Sequence, residues 1–187
     1  QWLREAVDVV AAAQQPDGYL DTYFTVKEPT KRWTNLREAH ELYVAGHMIE
    51  AGIAVWRGTG ERKLLDVMIR FADYIATVFG PEPEKKHGYP GHQEIELALM
   101  KLYRATGEQR FLDLAKYFID ERGGDPKYFD VEAASPDFHE IWGFSRDHEY
   151  QQSHEPVREQ SDAVGHSVRS MYQYIAMADL ARETGDQ

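Results

Sequence analysis

The chain has 187 residues, 42% of them hydrophobic and 12% aromatic, and a formal net charge of −11. That length and composition suit one globular domain with a real core, and the negative charge argues against nucleic acid, whose phosphates call for clustered Lys and Arg. No run approaches the roughly 18 consecutive apolar residues of a membrane span. The sequence has no cysteine, so these residues hold neither a disulfide framework nor a thiolate metal site, and a cytoplasmic setting is the expectation.

Helical periodicity is already under way at Trp2, Leu3, Ala6, Val7 and Val10, with no initiator Met before it. It predicts a helix over Leu3–Gln14, stopped by the turn residues Gln15-Pro16-Asp17-Gly18. The chain closes on Glu183-Thr184-Gly185-Asp186, a helix stop with nothing beyond it, so a segment of a longer protein is expected.

Tyr19–Trp33 reads as an aromatic-rich loop. Asn35 is placed to cap a helix running to about Trp56, with Leu36, Tyr43, His47, Ile49 and Ile53 as inward candidates. The next helix runs from about Glu61 to Phe79 on the stripe Leu64, Leu65, Met68, Phe71, Ala72 and Ile75, and ends at Gly80-Pro81-Glu82-Pro83. A third covers about His92–Arg104 and a fourth about Arg110–Glu121. Gly123–His154 is long and irregular, a length that in compact domains goes with function or disorder. A last helix covers about Asp162–Arg182. No strand pattern is convincing, so the fold class is all-α.

One unit repeats. Trp56-Arg57-Gly58-Thr59-Gly60-Glu61 aligns with Tyr103-Arg104-Ala105-Thr106-Gly107-Glu108 at an offset of 47 residues, and Ala181-Arg182-Glu183-Thr184-Gly185-Asp186 begins a third copy 78 residues later. Each unit is a helix, a tight Gly turn and an antiparallel helix. Such hairpins stack into a solenoid or close into a ring. Short Thr-Gly turns at one end and long aromatic connections at the other favour part of an (α/α) toroid, with its function at the long-loop end.

Three Gly-His pairs, Gly46-His47, Gly91-His92 and Gly165-His166, precede these turns. Taken singly, each imidazole reads first as a hydrogen-bonded packing residue, with a site residue as the alternative. Depth along the hairpin separates them. His92 and His166 lie 14 and 18 residues before the Thr of their turns; His40 lies 19 before Thr59, but His47 only 12. At 1.5 Å per residue, roughly 10 Å separates His40 from His47 along the helix. His40, His92 and His166 are therefore expected together at the long-loop end, with His47 deeper as a core or supporting residue.

No short-spaced ligand pair supports a zinc site built from these histidines, because two ligands one helical turn apart need the His-x-x-x-His spacing. Glu94 and Glu96 read as compensating the dipole at their helix N-terminus. Glu155, Glu159 and Asp162 suit either ligand bonding or capping of the last helix. No two carboxylates can be assigned as acid and nucleophile. The loop-side aromatics Tyr19, Tyr23, Phe24, Trp33, Tyr89, Phe129, Trp142, Phe144 and Tyr150 suit either sugar stacking or packing of the loops.

Several of these stretches carry a family resemblance. Gln14-Gln15-Pro16-Asp17-Gly18-Tyr19-Leu20, His40-Glu41-Leu42-Tyr43 and Gly46-His47-Met48-Ile49-Glu50-Ala51 resemble motifs of the glycoside hydrolase family 127 β-L-arabinofuranosidases. So do Gly88-Tyr89-Pro90-Gly91-His92-Gln93-Glu94-Ile95-Glu96-Leu97-Ala98-Leu99, Pro156-Val157-Arg158-Glu159-Gln160 and Ala163-Val164-Gly165-His166-Ser167-Val168-Arg169, all in the expected order. The resemblance implies an (α/α)6 barrel, incomplete in this chain and forming a single partial domain over 1–187, followed in the family by β-sandwich domains.

It further implies retaining, exo-acting hydrolysis of β-L-arabinofuranosides. The family's nucleophile is a cysteine held on zinc by further cysteines and a glutamate, and a second glutamate is its acid/base. Those residues follow the part matched here, so no catalytic residue and no metal ligand is expected within this chain. By resemblance His40, His92 and His166 contact sugar hydroxyls, Gly91 permits close approach, and His47 accompanies them. The implied partners are an arabinofuranoside substrate and the remainder of the same polypeptide, with no nucleic acid and no membrane. Two other readings of the residues stay open: another (α/α)-barrel carbohydrate enzyme, such as an epimerase or unsaturated uronyl hydrolase, and a helical-repeat module that binds a peptide.

Overall fold

In a computed structural model of the chain, residues 1–141 and 147–186 are described. Among them the architecture is all-helical. Eight α-helices follow in order: α1 Trp2–Ala13, α2 Thr22–Val26, α3 Glu41–Thr59, α4 Lys63–Val78, α5 Ile95–Thr106, α6 Gln109–Glu121, α7 Tyr128–Ala134 and α8 Ser167–Thr184. The one β-bridge among the described residues pairs Phe79 with Lys86.

The three repeated turns are built alike, atom for atom. Gly60, Gly107 and Gly185 sit at φ 77, 74 and 74°, and each N–H donates to the carbonyl four residues back, on Trp56, Tyr103 and Ala181. Thr59, Thr106 and Thr184 donate their hydroxyls to Val55, Leu102 and Leu180, and accept the N–H of Glu61, Glu108 and Asp186. Nothing lies within 4 Å of a Cβ built on these glycines, so the left-handed backbone, and not crowding, selects Gly here.

Helices α3 and α5 pack side by side, as do α5 and α8, while α4 backs α3 and α6 backs α5. This gives a front layer of α3, α5 and α8, backed by a second of α1, α4 and α6. The stripe expected on α4 is the seam: Leu64, Leu65, Met68, Phe71, Ala72 and Ile75 are all buried, as are Phe111, Leu114, Ala115 and Phe118 of α6. Val44 on α3 and Val168, Met171 and Ile175 on α8 are exposed, so the front layer presents an apolar face to its open side.

Three boundaries differ from expectation, and each moves a histidine out of a helix. Asn35 does not cap α3; its Oδ1 accepts the N–H of Glu38, closing a separate turn, and α3 starts at Glu41 after His40 in a left-handed conformation (φ 60°). Helix α5 starts at Ile95, leaving His92 in the preceding loop, and α8 starts at Ser167 with His166 as its N-cap residue. Side-chain bonds hold the backbone at these points: Asn35 to Glu38 and Glu96 to Glu94 act locally, whereas Gln152 reaches the Val164 carbonyl from 12 residues away. The long connections are also partly regular: α2 lies within Tyr19–Trp33, and α7 and a 3₁₀ turn at Glu149–Gln151 lie within Gly123–His154.

Candidate active site

Every helix of the front layer begins at the same end, and the loops feeding α3, α5 and α8 meet there. They bring His40, His92 and His166 together. The His92 ring centroid lies 6.0 Å from that of His40 and 6.3 Å from that of His166. Tyr43 and Tyr172 stand 4.5 and 5.7 Å from His92, and Tyr150 stands 5.3 Å from His166. All three imidazoles are partly buried.

The first loop is held by two buried carboxylates that accept backbone N–H groups. Glu132 of α7 accepts from Leu36 at 2.6 Å and Arg37 at 3.1 Å. Glu41 accepts from Trp33 N–H at 2.8 Å and from the Tyr19 hydroxyl at 2.5 Å. Burial pushes the Glu41 carboxyl up to about 8 and that of Glu132 up to about 7. The second loop is tied to the first through Gly91, whose N–H donates to Leu36 O at 2.9 Å. A Cβ on Gly91 would overlap the Arg37 carbonyl, so the close approach at this glycine is between the two loops.

A buried polar knot ties the second loop to the third. Gln93 Nε2 donates to Gln173 Oε1 at 2.7 Å, to Gln152 Oε1 at 3.0 Å and to Gln151 O at 3.1 Å. Arg122, 1% exposed, bonds Pro90 O, Gln151 O and Glu96 Oε1. Gln152 Nε2 reaches Val164 O and Ser170 Oγ. With most partners supplied, such a network fixes one arrangement of the loops.

The chemistry of the imidazoles follows from their neighbours. His40 Nδ1 lies 2.5 Å from Glu38 O, and His92 Nδ1 lies 2.8 Å from Gln93 O. A carbonyl only accepts, so both rings carry their proton on Nδ1 and leave Nε2 as an acceptor. Burial lowers the pKa of both, that of His92 to about 4, and the positive charge of Arg169 adds to the effect. Both are therefore neutral at neutral pH, which suits bonding to hydroxyl groups better than proton transfer.

His47 is not a core residue. Its side chain is 42% exposed, its ring stands 4.5 Å from Tyr43, and its Nδ1 lies 3.4 Å from Glu94 Oε1. It lies one step deeper than His92 on the same open face. The dipole reading of the two glutamates holds for Glu96, whose Oε2 accepts the Glu94 N–H while its Oε1 pairs with Arg122. Glu94 is different: it is fully buried, neither oxygen has a hydrogen-bond partner among the described residues, and burial together with Glu50 raises its pKa to about 8. Glu155, Glu159 and Asp162 are exposed and do not cap α8.

Of the aromatic candidates among the described residues, Tyr19, Phe24, Trp33, Tyr89 and Phe129 are buried and pack the loops, Tyr23 is exposed, and Tyr150 joins the histidines. Trp142 and Phe144 lie outside the described residues. Tyr172, Gln173 and the Gln151-Gln152 pair were not singled out from sequence. Gln173 was findable, since it lies on the buried stripe Ser170, Gln173, Ala176 and Leu180. A cavity of about 540 Å³ between α4 and α6, lined in part by Phe79, Arg110 and Tyr117, contains none of the site histidines.

The model of the family described as β-L-arabinofuranosidase, GH127 catalytic domain, matches residues 1–187. The chain belongs to the GH127 family. It is 45% identical to a non-reducing end β-L-arabinofuranosidase of Bifidobacterium longum subsp. longum, over 97% of this chain and 28% of that protein. The crystal structure of a GH127 β-L-arabinofuranosidase from Geobacillus stearothermophilus T6 superposes with a TM-score of 0.94 at 54% identity, over 99% of this chain and 29% of that one. A second GH127 structure, a β-arabinofuranosidase, gives 0.84 at 41% identity, covering 99% and 27%. The chain thus spans under a third of the length of these relatives, and its all-helical hairpins are consistent with their barrel.

The GH127 resemblance implies a zinc–thiolate centre, and the donor set of this chain does not fit one, because it contains no cysteine. The described residues do contain a possible His/Glu metal-binding group, His47, Glu50 and Glu94. No helix among them is long and apolar enough to cross a membrane.

Proposed function

We propose that the polypeptide containing this chain removes β-L-arabinofuranosyl units from non-reducing ends, and that residues 1–187 are the N-terminal portion of its (α/α)6 catalytic barrel, a single partial domain. The observation that carries this reading is the convergence of His40, His92 and His166 from three loops, on a chain that matches the GH127 model throughout. Nε2 of His40 and His92 accepts hydrogen bonds from sugar hydroxyls, and His166 closes the third side. Tyr43, Tyr150 and Tyr172 line the same space with flat faces suited to the C–H side of a furanose.

In this account the chain supplies binding and orientation, and the nucleophile and acid/base come from elsewhere in the polypeptide. A zinc–thiolate centre of the kind the family resemblance implies could not be held by these residues, and would have to be supplied by that remainder, where it would keep a thiol deprotonated. Gly91 contributes by locking two loops, and His47 borders the pocket behind Tyr43. Aligning the sugar against separately held catalytic groups is itself a large part of such catalysis.

The test is release of L-arabinose from a chromogenic β-L-arabinofuranoside by the natural polypeptide, with the α-anomer as control. Release from the β-anomer alone is expected. No release from it, with turnover of an unsaturated uronide or epimerisation of a free sugar instead, overturns the reading in favour of another (α/α)-barrel enzyme. Inertness toward all three sugars, with peptide binding, returns it to a helical-repeat module.

A further inference from the structure

Between α3 and α5, just behind the histidine triad, lies a group the sugar-binding account does not use. His47 and Glu50 are three apart on α3 and share a face, while Glu94 immediately precedes α5. One ligand atom from each lies within 4.8 Å of the other two. Glu94 is 0% exposed with both carboxylate oxygens unpartnered. His47 Nδ1 lies 3.4 Å from Glu94 Oε1 and makes no hydrogen bond to it. The local ammonium, Lys101, is engaged by Glu50 Oε1.

A buried carboxylate with nothing on either oxygen is costly and rare in folded proteins. The surroundings nevertheless make room for it. A Cβ on Gly46 would come within 2.6 Å of Glu94 Cγ and 3.0 Å of the following backbone, so glycine is required for the carboxylate to lie there. The 3.4 Å gap is long for a charge-assisted hydrogen bond, but it suits two ligands of one small cation. Bonds of about 2.0–2.1 Å at tetrahedral angles hold their donors roughly 3.4 Å apart.

We propose that His47, Glu50 and Glu94 bind a first-row divalent cation such as Zn²⁺ or Mn²⁺. One imidazole nitrogen and two carboxylates form a donor set suited to these ions. The half-exposed edge of His47 leaves an open side for water toward Tyr43 and Tyr172. The cation lies between α3 and α5 and pins the inner pair of helices together. The proposal does not rest on the arabinofuranosidase reading.

The test is Co²⁺ titration of the metal-stripped natural polypeptide, followed by optical absorption and by metal content after dialysis. Cobalt on His and carboxylate ligands gives weak d–d bands, without the intense charge-transfer absorption of cobalt on thiolates. One equivalent of the first kind is expected in the wild type. It is lost in Glu94→Gln and His47→Ala, and it binds more tightly in Lys101→Met, which removes the competing ammonium. Absence of that equivalent from the wild type overturns the proposal whatever the variants do. So does its undiminished presence in a folded Glu94→Gln protein. Activity on a β-L-arabinofuranoside, measured separately, distinguishes failure here from failure of the sugar-binding account.

Discussion

Gly91 is packed against the backbone of Arg37 so closely that a single added carbon would overlap the Arg37 carbonyl. That contact is the hinge of the site. It holds the loop of His92 against the loop of His40, and the Gly91 N–H bonded to Leu36 O at 2.9 Å fixes the register between them.

Gly91→Ala therefore forces the two loops apart. The clash is with backbone and not with a flexible side chain, so relaxation is costly. A loss of about 3 kcal/mol is expected, at the upper end of overpacking effects. Denaturant unfolding of the natural polypeptide measures it. A change below about 1 kcal/mol would show that the loops move apart freely.

Glu132 makes a subtler prediction. It reaches from α7 to accept two N–H groups of the His40 loop, and Glu132→Gln keeps one acceptor while placing an amide N–H₂ against a donor. Stability falls by about 1–3 kcal/mol. The amide exchange of Leu36 and Arg37 accelerates with it, whereas exchange in the remote α6 does not beyond the global change.

The raised carboxyl of Glu41 gives a pH dependence of definite sign. Its folded-state pKa of about 8 lies above the ordinary carboxylate value of 4.5, so the folded protein holds this proton more tightly than the unfolded chain. Its contribution to stability is full below about 4.5 and is lost as pH rises through about 8. In Glu41→Gln the slope of stability against pH over that window flattens, even though the amide lowers stability overall. Urea midpoints at a series of pH values give both slopes, and equal slopes would rule out Glu41 as the titrating group.

The repeated turns predict equal costs. Gly60, Gly107 and Gly185 share one conformation and open surroundings, so Ala at each costs about 1 kcal/mol, the penalty of a left-handed backbone for a residue with a Cβ. A Cβ at each site meets nothing within 4 Å, so the substitutions share no partner and pairs of them add. A cost at one turn several times that at the others would contradict their equivalence.

The hairpin pattern was legible in sequence because it is local. Thr-Gly turns carry their own chemistry, and the apolar stripe of α4 has helical period. The meeting of His40, His92 and His166 was legible for the same reason: depth from a shared turn converts residue counts into height. The true starts of α3, α5 and α8 were not legible, because they depend on bonds such as Glu132 to Leu36, which spans 96 residues. The buried state of Glu94 was hidden likewise. Glutamate near a helix N-terminus reads as solvated capping until Gly46 of a neighbouring helix is seen to admit it. Depth places His47 as a core or supporting residue, and the open front of α3, which leaves it half-exposed, removes the core alternative because depth along a helix is not burial.

The central claim is that three loops present their imidazoles to one sugar. Calorimetric titration of the natural polypeptide with L-arabinose, in the wild type and in His40→Ala, His92→Ala and His166→Ala, tests it most directly, with His87→Ala as a control away from the triad. The account predicts that each of the three weakens binding at least about tenfold, the loss of roughly one good hydrogen bond, while His87→Ala binds as the wild type does. Unchanged affinity in all three would contradict it.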